Sequence, residues 1–410
     1  MIEFETAFKI ENPAPKNLLL SIVIPTYNRP DELTQALDTM IPQLTGGLED
    51  KIEIIISDNA STNPNTRKIC EEYANGSKNI SYYRNVENYG HMKQVIIGPR
   101  RARGEFCWVF GDDDIVLDNC FPIIIKLLEE IEVDFLTINR QIKCGKLENI
   151  VAEAFNTIPT QTFHTMSELL QTLGINHLGF ITSQIFRTAP FLEIDPTPYV
   201  SNGAGYQQVA AYIECFYQKP CHYLDDVLFV QRYELTTNEN ATLNLANNFE
   251  QLAVHFVKAL ETARAKANIP GDIYQNMTGV KAAHRNNCNY TLADQIIEYL
   301  YRSIGYGSNY TAADIEVLKD AVANWPPRAT KELRNVIEAI QNISKIENDI
   351  KSIEQAKPAG KKLSKDQKRK QKKALRQKII GLISLTKKHR QAADASGLNH
   401  YKLNVNTTTK

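Results

Sequence analysis

The chain has 410 residues, of which 43% are hydrophobic and 23% are charged, as in an ordinary soluble globular protein with room for two domains. No run of residues approaches the roughly 20 apolar side chains that a membrane-spanning helix needs, and the first residues lack a signal-peptide pattern. The seven cysteines form no C-x-x-C pair, so we expect free thiols and no zinc site. These features predict a cytoplasmic protein.

The formal net charge is zero, but the charges are unevenly divided along the chain. Residues 361–390 contain thirteen lysines and arginines and one acidic residue, Asp366. An apolar patch at 379–385 lies within this basic tail, so we expect the tail to bind an anionic membrane surface without spanning it. A helix that binds the chain's own acidic body is the alternative. Because the tail contains no Phe, Trp or Tyr for base stacking, no nucleic acid is expected as a partner.

From residue 18 onward, continuous apolar runs alternate with segments of helical periodicity. This alternation predicts an α/β fold with a parallel, doubly wound sheet. Residues 1–17 are expected to form a loose arm before the first strand. The predicted strands cover 18–25, 52–57, 80–84 and 106–110, and the predicted helices cover 31–44, 65–73 and 92–101.

Three consecutive carboxylates, Asp112, Asp113 and Asp114, follow the apolar run at 106–110. Like charges at this spacing repel one another and resist leaving water, so this cluster is unfavourable at the end of a buried strand. A divalent cation relieves that cost, and hard oxygen ligands suit Mg²⁺ or Mn²⁺. The alternative is a solvated acidic turn whose carboxylates cap the next helix.

Polar residues also follow the first two predicted strands, at positions 26–29 and 58–59. In a doubly wound sheet, ligands bind beyond the carboxyl ends of the strands. We therefore expect these residues and the three aspartates to line one crevice.

Four motifs lie at these strand ends. They are Ile24-Pro25-Thr26-Tyr27-Asn28-Arg29, Ser57-Asp58-Asn59-Ala60-Ser61, Asn85-Val86-Glu87-Asn88-Tyr89-Gly90, and Ala102-Arg103-Gly104-Glu105-Phe106 leading into Gly111-Asp112-Asp113-Asp114. They resemble the motifs of family 2 glycosyltransferases with the GT-A fold. The G-D-D-D form is similar to transferases of O-antigen and capsule assembly, including the abequosyltransferase-like subgroup. The resemblance is strong over residues 18–135 and weaker to about residue 235.

The resemblance implies a nucleotide-binding role for residues at the first three motifs. Asp58 would accept a hydrogen bond from the base, and Asn88 would face the nucleotide. His91 and Lys93 would be phosphate contacts, or else solvated residues of the next helix. The residues that would line the base pocket are Pro25, Thr26, Tyr27 and Arg29.

The resemblance also assigns the aspartates. Asp113 would hold the ribose, while Asp112 and Asp114 would flank a bound Mn²⁺ or Mg²⁺, with Asp114 as the direct ligand. A bound dication would stabilise the negative charge that builds on a diphosphate leaving group.

The sequence departs from the family where the catalytic base is expected. An inverting transferase needs a carboxylate that takes the proton of the acceptor hydroxyl. The family commonly supplies it from a Glu-Asp pair at a helix start, but this chain has Gly205-Tyr206-Gln207-Gln208 there. We therefore expect the base in the preceding loop, at Asp195, with Glu193 as the alternative. His222 is expected to be a surface histidine, with a role as base or metal neighbour as the alternative.

The transferase domain is expected to cover residues 18–240, and a helical region is expected to follow at 245–357. Residues 140–165 are expected to form a loop over the acceptor cleft. In the helical region, a hydrophobic seam at 336–353 predicts either an intrachain hairpin or homo-oligomerisation. Residues 391–410 are expected to be frayed. The further predicted elements are helices at 119–131 and 205–218 and strands at 133–138, 177–187 and 227–233.

We thus expect a metal-dependent inverting glycosyltransferase that acts on a nucleotide-diphosphate sugar and a hydroxyl of a glycan or lipid-linked glycan. It would take part in bacterial surface polysaccharide synthesis, at the cytoplasmic face of the inner membrane. One alternative is a non-catalytic scaffold with the same fold. The other is a nucleotidyltransferase, which would normally carry a Gly-rich phosphate loop after the first strand that this chain lacks.

Overall fold

The computed structural model describes residues 5–144, 147–200, 206–233 and 256–278, together with single positions between 334 and 374. The strands are β1 (Thr6–Ile10), β2 (Leu20–Thr26), β3 (Ile52–Asp58), β4 (Ile80–Asn85), β5 (Phe106–Val109), β6 (Ile115–Val116), β7 (Phe135–Cys144), β8 (Asn149–Ala152), β9 (Gln161–Phe163), β10 (Gln184–Arg187) and β11 (Cys221–Tyr233). The α-helices are α1 (Pro30–Met40), α2 (Pro64–Gly76), α3 (His91–Ile97), α4 (Cys120–Glu130), α5 (Met166–Leu173), α6 (Thr188–Glu193), α7 (Gln207–Phe216), α8 (Val257–Lys266) and α9 (Gly271–Thr278).

In this part of the chain the strands form one mixed sheet in the order β1-β4-β3-β2-β5-β10-β7-β11-β6, with β8 paired to β7 and β9 to β11. Strands β4, β3, β2 and β5 are parallel, as predicted. The chain moves outward from β2 through β3 to β4 and then returns to the other side of β2 with β5. The sheet therefore has a topological switch point between β2 and β5, which is where such sheets bind ligands.

The central strands are buried on both faces, which explains their continuous apolar sequence. In β3 every residue is buried. Alternate residues point to opposite faces, so Ile22 and Ile24 belong to one hydrophobic core while Val23 belongs to the other. Helices α1, α2 and α4 cover the first face, and α3, α5, α7 and α8 cover the second. The α/β fold class is thus confirmed.

Several local predictions were wrong. The N-terminal arm contains β1, which pairs antiparallel with β4 and places Phe8 against Tyr82, with 5.8 Å between ring centroids. The expected loop at 140–165 contains the end of β7 and the short strands β8 and β9. The predicted strand at 177–187 is a strand only over β10, because two short 3₁₀ helices precede it. These segments are ordered by pairing with distant strands, which local periodicity does not encode.

Most of the predicted helical region lies outside the described residues. The described part of this region contains helices α8 and α9. The basic tail at 361–390 and the final residues also lie largely or wholly outside this part, and the oligomerisation seam at 336–353 is described only at single positions. No helix in the described ranges is long and apolar enough to cross a membrane.

The close packing of β2 on the segment before β5 can be tested at Gly104. A Cβ at this position would lie 2.8 Å from the backbone nitrogen of Ser21 and 3.0 Å from the carbonyl oxygen of Leu19. We expect Gly104→Ala to lower the free energy of unfolding by about 2 kcal/mol, because backbone atoms cannot give way as a side chain can. Urea unfolding monitored by tryptophan fluorescence measures this change.

The matched control is Gly76→Ala at the end of α2, where a Cβ would meet nothing within 4 Å. This change should leave stability the same or raise it by up to about 1 kcal/mol, since alanine favours the helix. Equal destabilisation by the two substitutions would contradict the packing described for Gly104.

A second prediction concerns His177, which is 0% exposed and packs between the rings of Phe155 and Tyr223. Burial holds the pKa of His177 down to about 3, below its ordinary value of 6.5. Between these values the unfolded chain binds one more proton than the folded chain, so stability falls as the pH falls through this window. We expect His177→Leu to reduce this acid slope by about 1.4 kcal/mol per pH unit in urea unfolding. If the slope of unfolding free energy against pH below about pH 6 were the same in His177→Leu and the wild type, the lowered pKa of His177 would be contradicted.

Candidate functional site

A cleft of about 640 Å³ runs along the carboxyl ends of the central strands. Its walls come from the segments that follow β3, β2 and β5, from the start of α3, and from the segment that leads into β10. The start of α7 closes it. The cleft therefore lies over the switch point between β2 and β5.

Asp114 is the most deeply buried carboxylate of the cleft, at 1% exposed. Its Oδ2 accepts a hydrogen bond from the Thr182 hydroxyl at 2.6 Å, and its Oδ1 accepts one from the backbone N–H of Arg232 at 3.0 Å. Burial raises the pKa of Asp114 well above its ordinary value, and the charge of Asp113 adds to the rise. Burial also raises the pKa of Asp112, to about 6. Protein contacts alone thus leave these carboxylates short of positive charge.

Arg29 forms ion pairs with two of the three aspartates. Its Nη1 lies 2.7 Å from Asp113 Oδ2 and 3.3 Å from Asp112 Oδ1. This ion pair spans the switch point, because Arg29 follows β2 and the aspartates follow β5. The guanidinium is about half exposed, so it can move when a ligand enters.

The donor atoms next to Gly111 suit a hard divalent cation. A Cβ at Gly111 would lie 3.0 Å from Asp114 Oδ2, 3.2 Å from Asp113 Oδ1 and 3.3 Å from Thr182 Oγ1. These three oxygens therefore lie around Gly111, and a side chain at this position would crowd them. Among the described residues, no group of three or more His, Cys, Asp or Glu side chains is arranged to hold a metal ion. Mg²⁺ commonly binds one or two carboxylates and completes its shell with substrate phosphates and water, and these residues fit that mode.

The structure brings most of the predicted nucleotide-binding residues together. Asn28 has a positive φ of 58° and its side-chain oxygen accepts the backbone N–H groups of Thr62 and Asn63, which fixes the loop after β2. Asn88 Oδ1 accepts a hydrogen bond from Asn59 at 2.7 Å. His91 lines the cleft, and Lys93 stacks over the Tyr89 ring instead. The predicted residues that line the cleft are Pro25, Thr26, Tyr27, Arg29, Asn88, Asp112, Asp113 and Asp114.

Asp58 is placed differently from its expected role. It is fully buried and is not among the residues that line the cleft. Its carboxylate accepts hydrogen bonds from the Ser61 N–H at 2.8 Å and from the Tyr82 hydroxyl at 2.9 Å. In the structure, Asp58 therefore holds the loop after β3, while its contact with a base stays a prediction.

The predicted base, Asp195, lies on the surface after α6. Its Oδ1 accepts hydrogen bonds from the Thr197 N–H at 3.0 Å and the Thr197 hydroxyl at 2.6 Å, and its Oδ2 lies 3.5 Å from Lys266 Nζ. The hydrogen bonds from Thr197 hold the pKa of Asp195 below its ordinary value. It is not one of the cleft-lining residues. His222, expected on the surface, is buried, and its Nδ1 lies 2.8 Å from the Thr162 hydroxyl.

Sequence reasoning missed residues on the wall formed by the segment before β10 and the start of α7. Phe180, Tyr206 and Gln208 line the cleft, and Thr182 holds Asp114. Thr182 lies on a segment that reaches the aspartates only because β10 pairs antiparallel with β5. No sequence motif around Thr182 indicated that contact. Gln208 could have been recognised as a site residue, because it lies where the resemblance expects an acidic residue.

Three comparisons relate the chain to known proteins. Residues 21–187 match the family model described as "Glycosyl transferase family 2". The abequosyltransferase RfbV of Salmonella typhimurium is 25% identical over 283 residues, which cover 66% of this chain and 79% of that protein. The minor teichoic acid biosynthesis protein GgaB of Bacillus subtilis is 28% identical over 124 residues, or 30% of this chain and 13% of that protein.

Among solved structures, the S. aureus protein TarS (residues 1–349) is 17% identical, with a TM-score of 0.49, and the match covers 79% of this chain and 91% of that chain. That likeness is too low to carry an argument about function. The family match begins in β2 and ends in β10, so it contains the switch point and the three aspartates. Residues 21–187 therefore form a family 2 glycosyltransferase domain, and the chain is a glycosyltransferase.

Proposed function

We propose that this enzyme transfers a sugar, with inversion, from a nucleotide-diphosphate donor to a hydroxyl of a glycan or lipid-linked glycan. The observation that carries the proposal is the meeting of Asp112, Asp113 and Asp114 with Arg29 in one cleft at the switch point. Tyr27 is 40% exposed within this cleft and offers a ring on which a nucleotide base can stack. The nucleotide would lie over the ends of β2 and β3, with its phosphates toward β5.

We propose Asp114 and Asp112 as the residues that hold Mn²⁺ or Mg²⁺, with Asp113 on the ribose. When bound, the dication would supply positive charge to the leaving diphosphate. Arg29 would then be free to turn from the carboxylates toward a phosphate, since its fork of donors suits phosphate oxygens. The buried setting of Asp114 favours this arrangement, because a cation removes the cost of its buried charge.

We place the enzyme in bacterial surface polysaccharide synthesis. The names of its relatives, an abequosyltransferase and a minor teichoic acid biosynthesis protein, support this placement. The basic tail at 361–390 supports attachment to the anionic cytoplasmic face of the inner membrane.

One observation favours a second candidate, a non-catalytic scaffold. Among the described residues, Asp112, Asp113 and Asp114 are the only carboxylates that line the cleft, so the wall on α7 offers no acid as a base. A scaffold would keep the fold and the cleft but release no nucleotide.

Substitution of Asp114 and an assay of nucleotide release distinguish the enzyme from the scaffold. We expect Asp114→Asn to lower the rate of nucleotide release at least about 10³-fold, because the amide cannot hold the charge of the cation. The assay uses a panel of UDP-, GDP- and dTDP-sugars with Mn²⁺, with and without a bacterial lipid extract as acceptor. The matched control is Asp118→Asn, an exposed aspartate outside the cleft, which should keep its activity. Release by Asp114→Asn at the wild-type rate would contradict the proposed role, and no release by the wild type from any donor would favour the scaffold.

The assignment of Asp195 as base has its own test. Loss of a general base costs about 10²–10⁴-fold in rate. From its position outside the cleft we expect Asp195→Asn to cost less than about tenfold in kcat, well below that range. A loss of 10²-fold or more with unchanged donor binding would instead establish Asp195 as the base.

A further inference from the structure

The wall at the far end of the cleft has a fixed position relative to the phosphate site. Along the sheet edge, the cleft residues follow β3, then β2, then β5, and the next strand is β10. Neighbouring strands are about 4.8 Å apart, so the segment before β10 lies one strand beyond the aspartates. A sugar joined to a diphosphate at β5 would therefore lie over Gly179 and Phe180, facing the start of α7.

Gln208 presents a buried amide oxygen at this wall. Its side chain is 3% exposed, and its Nε2 donates a hydrogen bond to the carbonyl oxygen of Gly179 at 3.0 Å. That contact fixes the orientation of the amide, because the opposite orientation would bring two oxygens together. Its Oε1 has no hydrogen-bond partner within the described part of the chain. A buried acceptor of this kind is unfavourable unless a ligand supplies a donor.

Tyr206 presents an aromatic face beside it. The residue has a φ of 64°, a conformation that bulky residues rarely adopt, and its ring is 43% exposed. The ring lies so close to Gly179 that a Cβ there would be 2.8 Å from two of its carbons. Backbone strain of this kind persists where the surroundings impose it and is common at ligand sites.

Phe180 also lines this end of the cleft, and neighbouring side chains pack against its ring. The Arg140 guanidinium stacks over its ring at 4.7 Å from the centroid, and the Phe229 ring lies parallel to it with 6.2 Å between centroids. The wall therefore combines one orientated acceptor with aromatic surface, which is the pattern that recognises a hydroxylated ring.

We propose that Gln208 and Tyr206 recognise the sugar of the donor. Gln208 Oε1 accepts a hydrogen bond from one sugar hydroxyl, and the Tyr206 ring packs on the apolar face of the sugar. Both are specificity-determining residues, and Gln208 is not a base, because an amide does not take a proton near neutral pH. This inference rests on the proposed function, since it needs a nucleotide sugar in the cleft.

Calorimetry with the full chain and Mn²⁺ tests the proposal. The probes are the nucleotide sugar that binds best in a panel of UDP-, GDP- and dTDP-sugars, and the matching nucleoside diphosphate. We expect Gln208→Met to lower the affinity for the nucleotide sugar about tenfold and the affinity for the nucleoside diphosphate less than about twofold. Only the nucleotide sugar carries the hydroxyl of the transferred sugar that Gln208 would contact. Tyr206→Phe should keep the affinity for the nucleotide sugar. Tyr206→Asn should lose it, since asparagine tolerates this backbone conformation but has no ring.

Gln207→Met is the matched control, because Gln207 is equally buried on the same helix but does not line the cleft. It should bind both probes as the wild type does, and thermal unfolding should show all variants folded. A deoxy-sugar donor that lacks the recognised hydroxyl should bind the wild type and Gln208→Met equally well.

The outcomes separate the two levels of the proposal. If the wild type binds no nucleoside diphosphate, the proposed function falls and this inference falls with it. If the wild type binds the nucleotide but Gln208→Met lowers the affinity for both probes equally, or for neither, only the role in sugar recognition is overturned. Unchanged donor affinity with a loss confined to transfer onto lipid extract would place the wall at the acceptor and would also overturn it.

Discussion

The cost of burying negative charge at the end of β5 shapes the whole functional end of this molecule. Three adjacent carboxylates repel one another, and two of them are withdrawn from water. Each nearby polar contact reduces that cost: the Arg29 guanidinium on Asp112 and Asp113, and the Thr182 hydroxyl and the Arg232 N–H on Asp114. These groups only partly offset the charge, because burial still raises the pKa values of Asp112 and Asp114.

The topology explains why these groups can meet. Arg29 follows β2 and the aspartates follow β5, and the two strands are neighbours because the chain reverses its direction of winding between them. Thr182 comes from the antiparallel neighbour of β5, and Arg232 comes from β11, more than a hundred residues after Asp114. A cleft bounded by the ends of β2, β3 and β5, the segment before β10 and the start of α7 follows directly from this strand order.

The predicted nucleotide-binding and metal-binding residues share one property: each lies at or just after the end of a strand, within a short, recognisable motif. Tyr27, Arg29 and the aspartates could be placed at a common edge because parallel strands align their carboxyl ends. Asp58 belongs to the same class, yet its side chain turns inward to Ser61 and Tyr82, and its position in a motif could not reveal that direction. Thr182, Tyr206 and Gln208 lie on segments without a strand-end motif, and long-range pairing brings them to the cleft.

The sequence alone determined the α/β class, the order of the central strands and helices, and the location of the acidic cluster, because hydrophobic periodicity and local charge are properties of neighbouring residues. The tertiary structure decided that the N-terminal arm adds an edge strand, that residues 140–165 contain strands, and that Asp195 lies outside the cleft. It also decided which side chains line the cleft. Such choices depend on packing between segments far apart in the chain, and that packing is fixed only when the sheet is assembled.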